Sequence, residues 1–374
     1  MRLATTTLVF CVTALMALGL VMLYSSGMAD RDGSRDFVMQ LAWCGVGVVA
    51  CAGAATLDYR LWKKFAWPLF GAAIVLLALV LAIGTINHDY VNGARRWLRL
   101  PGGVRFQPSE AGKVALILAL AWYGEHFQRR MTNWKWGIVG PGIFIGLCLG
   151  LIFIEPDRGT TILLGLVSGA MLLIAGVRWW HLALPLLLVA FLLVVSIMHD
   201  PVRRERVFAW IHPAEHKMGA GAQAYYASLA FGSGGWTGRG LGNSRQKLGY
   251  LPFHKTDFIL PIIGEELGLA ATLLVVLAFA GIVMSGFYIS WRSGDTFGLL
   301  LGSGITMMIG LQAAMNIGVV TGMLPNKGIP LPFISYGGSN LLIMLASIGL
   351  LLSIARRARV ATAAPSSKDL PPAT

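Results

Sequence analysis

The chain has 374 residues, of which 56% are hydrophobic and 13% are charged, and its mean hydropathy is +0.68. Soluble domains carry roughly 25% charged residues, so this composition excludes an ordinary soluble enzyme and indicates a chain that lies mostly in lipid. The 30 Lys and Arg outnumber the 17 Asp and Glu, which gives a formal charge of +13. In a membrane protein this excess needs no nucleic-acid partner, because basic residues collect in cytoplasmic loops.

Uncharged runs of roughly 20 residues, the length that a helix needs to cross a bilayer, recur along the chain. They predict an all-α integral membrane protein with about ten transmembrane helices, the first of them uncleaved. The predicted spans are 5–25, 37–56, 66–85, 109–125, 136–154, 159–177, 180–198, 258–290, 297–320 and 339–355. An even number of spans puts both termini on one side of the membrane.

Basic residues between the spans set the orientation, because short basic loops stay in the cytoplasm. The segments that follow the second, fourth, sixth, eighth and tenth spans all carry Lys or Arg, and all fall on one side. We therefore expect cytoplasmic termini, a membrane domain over residues 1–358 and a disordered cytoplasmic tail over 359–374. The largest outer segment is the extracytoplasmic loop 199–257, between helices 7 and 8.

Two outer loops, 86–108 and 199–257, carry positive charge against this rule. Their candidate anion-binding residues are Arg95, Arg96, Arg203, Arg206, Arg245 and Lys247. Outward-facing arginines in a chain of few charges suggest an anionic ligand, since the forked guanidinium donors match phosphate oxygens. The alternative is contact with the anionic headgroups of membrane lipids.

The end of the second loop is rich in glycine, and Gly240 and Gly242 would let backbone N–H groups approach a phosphate closely. No nucleotide-binding motif is present. Asp257 closes this loop directly before an apolar span, where it could be a general base or a helix cap. The pair Thr256-Asp257 before an apolar helix favours the cap.

Ionisable residues also fall where lipid should exclude them, and such groups usually face a polar cavity or one another. Glu110 and Lys113 lie three residues apart on the predicted fourth helix, so they share a face and are expected to pair. Asp157 lies between the fifth and sixth spans, and Glu265 and Glu266 lie in the eighth.

The last outer segment, 324–339, contains too many Pro and Gly residues for a helix. Irregular backbone at this depth is tolerated only where protein or water satisfies its polar groups. We expect a re-entrant or surface loop, with Ser335 and Ser339 as candidate site residues.

Seven strings, ordered from the third span to the tenth, resemble the SEDS family of bacterial cell-wall glycosyltransferases. They are Val91-Asn-Gly-Ala-Arg-Arg-Trp97, Phe106-Gln-Pro-Ser-Glu110, Glu155-Pro-Asp157, Gly240-Leu-Gly-Asn-Ser-Arg-Gln-Lys-Leu248, Thr256-Asp-Phe-Ile259, Gly264-Glu-Glu-Leu-Gly268 and Leu331-Pro-Phe-Ile-Ser-Tyr-Gly-Gly-Ser339. Within the family the chain resembles the division branch, FtsW, more than the elongation branch, RodA. The resemblance covers nearly the whole chain.

The resemblance implies an enzyme of the bacterial cytoplasmic membrane that polymerises lipid II on its outer face and releases undecaprenyl pyrophosphate. It implies a class B penicillin-binding protein, a transpeptidase, as partner, with other division or elongation membrane proteins. By motif position Asp257 is the catalytic carboxylate, Glu110 and Lys113 are a buried pair in the cavity, and Asp157 supports them. The string that includes Asn243 and Ser244 is similar to the FtsW form of the loop.

One segment departs from the family pattern, which commonly reads Leu-Pro-Glu-x-His-Thr-Asp. Here Phe253 stands at the acidic position and Lys255 at the histidine position, with His254 one place earlier. Lys255 beside Asp257 would favour the ionised form of that carboxylate.

The resemblance implies an inverting glycosyl transfer in which Asp257 is the base, and the outer Arg and Lys residues are the candidates to neutralise the leaving pyrophosphate. No metal-ligand spacing is visible, and whether a divalent cation (Mg²⁺ or Mn²⁺) takes part is left open. Two other functions stay open. A lipid II flippase would use the same charges along a transport path, although no inverted repeat is evident. A noncatalytic scaffold for the penicillin-binding protein would leave the outer Arg and Gly loop unexplained.

Overall fold

The structure is a computed structural model that describes residues 1–28, 33–86, 96–99, 105–212, 215, 217 and 219–363. It is almost entirely helical. The helices are α1 (Arg2–Gly27), α2 (Gly33–Thr56), α3 (Tyr59–Ile86), α4 (Pro108–His126), α5 (Gly140–Ile154), α6 (Arg158–Ile174), α7 (Trp179–Met198), α8 (Pro201–Ile211), α9 (Ala222–Gly234), α10 (Ile259–Trp291), α11 (Thr296–Val320) and α12 (Gly338–Ala363). One short antiparallel pair joins β1 (Leu98–Arg99) to β2 (Arg105–Phe106).

Each predicted span coincides with one of these helices, and the all-α membrane fold is confirmed. In the described part of the chain, eight helices are long and apolar enough to cross a bilayer. The other two are α4, which carries Glu110 and Lys113, and α6, which has 17 residues. The exact count of ten spans therefore stays a prediction.

The centre of the bundle is formed by α4, α11 and α12; α10 packs on α11, α1 packs on α10, and α2 packs on α12. Most of α11 and α12 is buried, whereas almost none of α7 is, so α7 lies at the periphery with its apolar surface turned to lipid. The helix α12 runs to Ala363, past the predicted start of the tail at residue 359. Residues 364–374 lie outside the described part of the chain.

The loops predicted to be cytoplasmic meet at one end of the bundle. Arg60 pairs with Asp295 at 2.8 Å, and Arg357 pairs with Asp58 at 2.8 Å. Lys63 also pairs with Glu125 there. The loops predicted to lie outside meet at the other end, so the structure groups the loops as the predicted alternation requires.

The outer loop 199–257 is not one irregular segment, because it contains the helices α8 and α9. The eighth span is also interrupted. Gly268 has φ 81° and ψ −178°, so it divides α10 into a short first part and a long second part. Only glycine adopts this conformation readily. The backbone groups freed at the break bond the preceding loop: Arg239 N–H donates to the Glu265 carbonyl at 3.0 Å, and Leu269 N–H donates to the Gly235 carbonyl at 2.9 Å.

Candidate active site

A cavity of about 830 Å³ lies where the predicted outer loops meet the ends of the helices. Its lining includes seven basic and four acidic side chains: Arg35, Arg96, Arg105, Lys113, Arg158, Arg206 and Lys327, with Asp36, Glu110, Asp157 and Asp257. A concave site with this excess of positive charge attracts anions. Helices from α2 to α12 and the loops between them contribute to it, so the residues meet only in the folded chain.

Asp257 lies in this cavity and does not cap α10. The cap residue of that helix is Phe258, which makes no side-chain capping bond, so the capping interpretation is wrong. The loop 321–337 presses its backbone against the carboxylate, since a Cβ built on Gly328 would lie 2.8 Å from Asp257 Oδ2. Only glycine at position 328 leaves the carboxylate its present position.

Burial raises the pKa of Asp257 to about 7, since a desolvated carboxylate loses hydration energy. Arg96 lowers this pKa and Asp157 raises it, and both effects are smaller than that of burial. A carboxyl group with a pKa near 7 exists in both forms at neutral pH, which suits a general base.

Two amides on α11, four residues apart, hold the loop against Asp257. Asn316 Nδ2 donates to the Asp257 carbonyl and to the Ile329 carbonyl, both at 2.7 Å. Gln312 Nε2 donates to the Pro330 carbonyl at 3.0 Å. Sequence reasoning missed both amides, although two polar residues at i and i+4 in an apolar span are a usable signal.

The expected pairing of Glu110 with Lys113 is confirmed. Lys113 Nζ lies 2.7 Å from Glu110 Oε2, and both side chains are at most 5% exposed. Asn340 of α12 donates to Glu110 at 3.0 Å, and Lys113 donates to Gln312 Oε1 at 2.9 Å. The pair thus connects α4, α11 and α12 at the wall of the cavity, and Gln312 links it to the loop beside Asp257.

Asp157 and Arg96 lie together in the cavity. Asp157 caps α6 by accepting from Thr160 N–H at 3.1 Å, and its other oxygen accepts from Gln107 at 3.2 Å. Arg96 lies 3.9 Å from Asp157 and donates to the carbonyls of residues 155 and 156 at 3.2 and 2.6 Å. These bonds direct the Arg96 guanidinium toward the acidic side of the cavity.

Glu155, whose carbonyl accepts from Arg96, is fully buried. Neither of its carboxyl oxygens has a hydrogen-bond partner among the described residues. Burial raises the pKa of Glu155 to about 8, with a smaller contribution from Asp157 and an opposing one from Arg96. The group is therefore mostly a neutral acid at pH 7.

The N–H groups of the glycine loop, which the sequence suggested for a phosphate, donate instead to two carboxylates of the same chain. Gly242 N–H and Ser244 N–H donate to the Glu266 carboxylate at 3.1 and 3.3 Å. Ser244 Oγ and Arg245 N–H donate to the Glu265 carboxylate at 2.5 and 3.1 Å. Both carboxylates are almost fully buried, so the loop compensates charges that α10 carries into the protein.

The predicted role of Lys247 in pyrophosphate binding is not supported by its position. Lys247 Nζ lies 2.8 Å from Glu266 Oε1 and also donates to the Ser25 carbonyl and hydroxyl at 3.1 Å, and its side chain is 3% exposed. The side chain of Asn243 is exposed and donates to the Arg239 carbonyl at 3.1 Å. The predicted loop residues that do not line the cavity are Gly240, Gly242, Asn243, Ser244, Arg245 and Lys247.

Ser335 and Ser339 hold loops in place. Ser335 Oγ donates to the Thr256 carbonyl at 2.6 Å, next to Asp257. Ser339 Oγ donates to the Arg105 carbonyl at 3.1 Å and accepts from Gln107 N–H at 3.2 Å. The segment 321–337 is irregular, as expected from its Pro and Gly content.

The expectation for Lys255 is corrected, because its ammonium group is bonded elsewhere. Lys255 Nζ lies 2.7 Å from Asp36 Oδ2, and the cation that acts on the pKa of Asp257 is Arg96. Phe253, at the departing acidic position, lines the cavity with φ 61°.

Two of the predicted pyrophosphate ligands cannot be placed. Arg95 and the side chain of Arg203 lie outside the described residues, whereas Arg96 and Arg206 line the cavity. Lys327 and Arg35, which the sequence analysis did not single out, also line it, as does Arg105 of the basic outer loop 86–108.

A bound divalent cation would depend on Asp157 and Asp257, two carboxylates that line the cavity and whose charges act on each other. In the described part of the chain, no group of three or more His, Cys, Asp or Glu side chains is arranged to hold a metal ion. Arg96 lies beside the same two carboxylates and supplies positive charge there.

The chain matches known sequences over nearly its whole length. The sequence model of the cell cycle protein family of FtsW, RodA and SpoVE matches residues 5–360. A protein of Trichlorobacter lovleyi named probable peptidoglycan glycosyltransferase FtsW is 38% identical over 95% of this chain and 93% of its own. The stage V sporulation protein E of Bacillus subtilis is 37% identical over 94% of this chain and 97% of its own.

Two solved structures have a similar fold. A chain from a peptidoglycan synthase complex, described for its coordination of polymerization and crosslinking, superposes with a TM-score of 0.77 at 28% identity and covers 94% of this chain and 97% of its own. The rod shape determining protein RodA of Thermus thermophilus superposes with a TM-score of 0.67 at 28% identity, covering 93% of this chain and 95% of its own.

Proposed function

The chain belongs to the family of FtsW, RodA and SpoVE and is a peptidoglycan glycosyltransferase of cell division, and from this premise we propose that it polymerises lipid II with Asp257 as the general base. One observation carries the proposal. Asp257 is the half-buried carboxylate, with a pKa of about 7, in a cavity whose lining is otherwise rich in basic residues.

The proposed reaction is a single displacement. The 4-hydroxyl oxygen of the acceptor sugar attacks the anomeric carbon of the donor, and the bond from that carbon to the pyrophosphate oxygen breaks. The leaving undecaprenyl pyrophosphate takes the bonding electron pair, and Asp257 takes the hydroxyl proton. The configuration at the anomeric carbon is inverted.

One carboxylate is sufficient for this chemistry. A glycosidase needs a second carboxyl group to protonate a poor leaving group, whereas a pyrophosphate leaves once its charge is neutralised. Arg96 and Arg206, which line the cavity, are suited to that neutralisation because guanidinium groups bind phosphate oxygens through paired donors. Arg96 lies 3.9 Å from Asp157, and it is the cation whose charge acts on the pKa of Asp257.

The chain is a multi-pass membrane protein, and we propose that the cavity faces the outside of the bacterial cytoplasmic membrane. The support is the set of short basic loops at the opposite end of the bundle, since such loops usually stay in the cytoplasm. The partner that we propose is a class B penicillin-binding protein, since a similar chain occurs in a complex that coordinates polymerization with crosslinking.

The Asp257→Asn variant tests the proposal. Purified protein with its penicillin-binding partner should lose polymerisation of labelled lipid II by a factor of about 10² or more, the usual contribution of a general base. The matched control is Asp58→Asn, the same change at the opposite end of the bundle, which should polymerise normally.

Full activity of Asp257→Asn would contradict the assignment of the base. An inactive wild-type protein with its partner present would instead favour the scaffold or the flippase, and a lipid II translocation assay would separate these two.

A further inference from the structure

A buried amide on α2 holds the loop that in turn holds the backbone next to the catalytic carboxylate. The residue is Gln40, which does not itself line the cavity. We propose that Gln40 is a positioning residue for Asp257 and acts on it through the loop 321–337. This inference rests on the proposed function, because it assigns a second support to the base of that reaction.

Both polar groups of the Gln40 amide bond the backbone of this loop. Nε2 donates to the Ser335 carbonyl at 3.3 Å, and Oε1 accepts from Gly337 N–H at 3.2 Å. The residue is 3% exposed. A buried amide without partners is costly, so these two bonds fix residues 335–337 against one point of α2.

The same stretch of loop holds the backbone that leads into Asp257. Ser335 Oγ donates to the Thr256 carbonyl at 2.6 Å, and Tyr336 N–H donates to the Lys255 carbonyl at 2.9 Å. The bonded carbonyls belong to the two peptide groups directly before the Asp257 Cα. The place of this stretch on α2 therefore determines where the carboxylate lies.

Two neighbours of Gln40 on the same face of α2 contact the same region. Asp36, four residues earlier, pairs with Lys255 at 2.7 Å. Trp43, three residues later, lies against Gly338 and leaves no room there for a side chain. Residues spaced by three and four share one helix face, so a single face of α2 follows both loops around the base.

Helix α2 is itself firmly fixed, because it packs closely along α12. The side chain of Leu345 fills the space that Gly47 leaves, and a Cβ built on Gly349 of α12 would lie 2.8 Å from the Ala54 Cβ. Small residues let membrane helices approach closely. A side chain on such a helix holds its partners more precisely than one on a loop.

The base is thus supported from two sides. On α11, Asn316 bonds the carbonyl of Asp257 itself, whereas the Gln40 loop bonds the two carbonyls before it. Loss of the α2 support would leave the α11 bonds in place but would release one side of the catalytic segment. A displacement of about 1 Å at a reacting group costs up to about a hundredfold in rate.

The Gln40→Met variant tests the proposal, because methionine keeps the length of the side chain and removes both bonds. On the full chain with its partner and labelled lipid II, kcat should fall about tenfold or more, whereas KM should stay within about twofold, because the side chains that line the cavity remain. Ser335→Ala, which removes the bond to the Thr256 carbonyl, should give the same division between kcat and KM.

The double variant tests whether Gln40 acts through Ser335. Members of one hydrogen-bond network have non-additive effects, so kcat of Gln40→Met with Ser335→Ala should fall clearly less than the product of the two single losses. The control for general stability is Leu8→Ala, which opens a cavity at a fully buried position near the start of α1. It should lower the temperature of thermal unfolding at least as much as Gln40→Met does, and it should keep kcat.

An unchanged kcat in Gln40→Met, or a KM that rises as much as kcat falls, would overturn the proposal. Equal losses of kcat in Gln40→Met and Leu8→Ala would also overturn it, because general stability would then explain both, and losses that multiply would show that Gln40 does not act through Ser335. If Gln40→Met does not fold, an unchanged kcat in Ser335→Ala overturns the proposal in its place. An inactive wild-type protein with its partner would count against the proposed function instead.

Discussion

At Asp257, two neighbouring charges act on one pKa in opposite directions. Burial brings this pKa to about 7, Arg96 lowers it, and Asp157 raises it. Since the carboxylate form accepts the proton, polymerisation should rise as the pH increases through about 7 and level off above it. Below that pH the protonated form predominates and the rate falls.

Arg96→Gln and Asp157→Asn should shift this acid limb in opposite directions. Loss of the Arg96 charge raises the pKa of Asp257 and moves the limb to higher pH, whereas loss of the Asp157 charge lowers the pKa and moves it to lower pH. Asparagine can still cap α6, so the second variant keeps the bond to Thr160. The measurement is kcat against pH for both variants, and shifts of the same sign would contradict Asp257 as the base.

Local sequence signals misled at this scale. Thr256-Asp257 before an apolar run is a usual start of a helix, but the cap of α10 is Phe258 and Asp257 turns to the cavity. Lys255 is adjacent in sequence, yet its ammonium bonds Asp36 on α2. For Lys255, a partner more than 200 residues away in sequence determines where the side chain lies. For Asp257, the contact with the loop 321–337 does so.

At the scale of the elements, the buried carboxylates before the break in α10, Glu265 and Glu266, are compensated by the glycine loop and by Lys247. Removing only one member of a buried ion pair leaves an uncompensated charge, which costs about 3–5 kcal/mol. Lys247→Met should therefore destabilise the protein by that amount, and adding Glu266→Gln should restore most of it. The readout is thermal unfolding in detergent.

The control for this pair is Lys63→Met, which removes a partly exposed cation from its pair with Glu125. Exposed pairs contribute at most about 1 kcal/mol, so this variant should unfold almost like the wild type. An equal loss of stability in Lys63→Met and Lys247→Met would show that the buried ion pair stabilises the protein no more than the exposed one.

Helix α11 positions the base through Asn316. Asn316→Leu leaves two buried carbonyls without a donor, which should cost about 1–3 kcal/mol of stability. It should also lower kcat about tenfold or more with little change in KM, because the base moves and the substrate ligands stay. Asn243→Leu removes a comparable bond on an exposed loop and should keep both constants. A KM that rises as much as kcat falls would argue against a positioning role, because substrate binding would then be impaired as well.

For the whole molecule, the arrangement of loops predicts which end faces the outside. Asn243→Cys and Arg129→Cys lie at opposite ends and are exposed, and three of the four native cysteines are buried, so the background is Cys51→Ala. A membrane-impermeant maleimide should label Asn243→Cys in intact spheroplasts and Arg129→Cys only after lysis. The reverse pattern would invert the proposed orientation and place the cavity in the cytoplasm.

The sequence by itself determined that most of the chain lies in lipid, where its helices are, and how its loops alternate between the two ends. The length of an apolar run and the basic residues of a loop are local properties of the sequence. It also singled out Glu110, Lys113, Asp157 and Asp257, which the structure brings into one cavity. Only the tertiary structure decided which positive charges face that cavity. Lys247 and Lys327 look alike in sequence, but Lys247 compensates a buried carboxylate of α10, whereas Lys327 lines the cavity beside Asp257. A charge takes its role from what it is buried against, and that partner lies in another part of the chain.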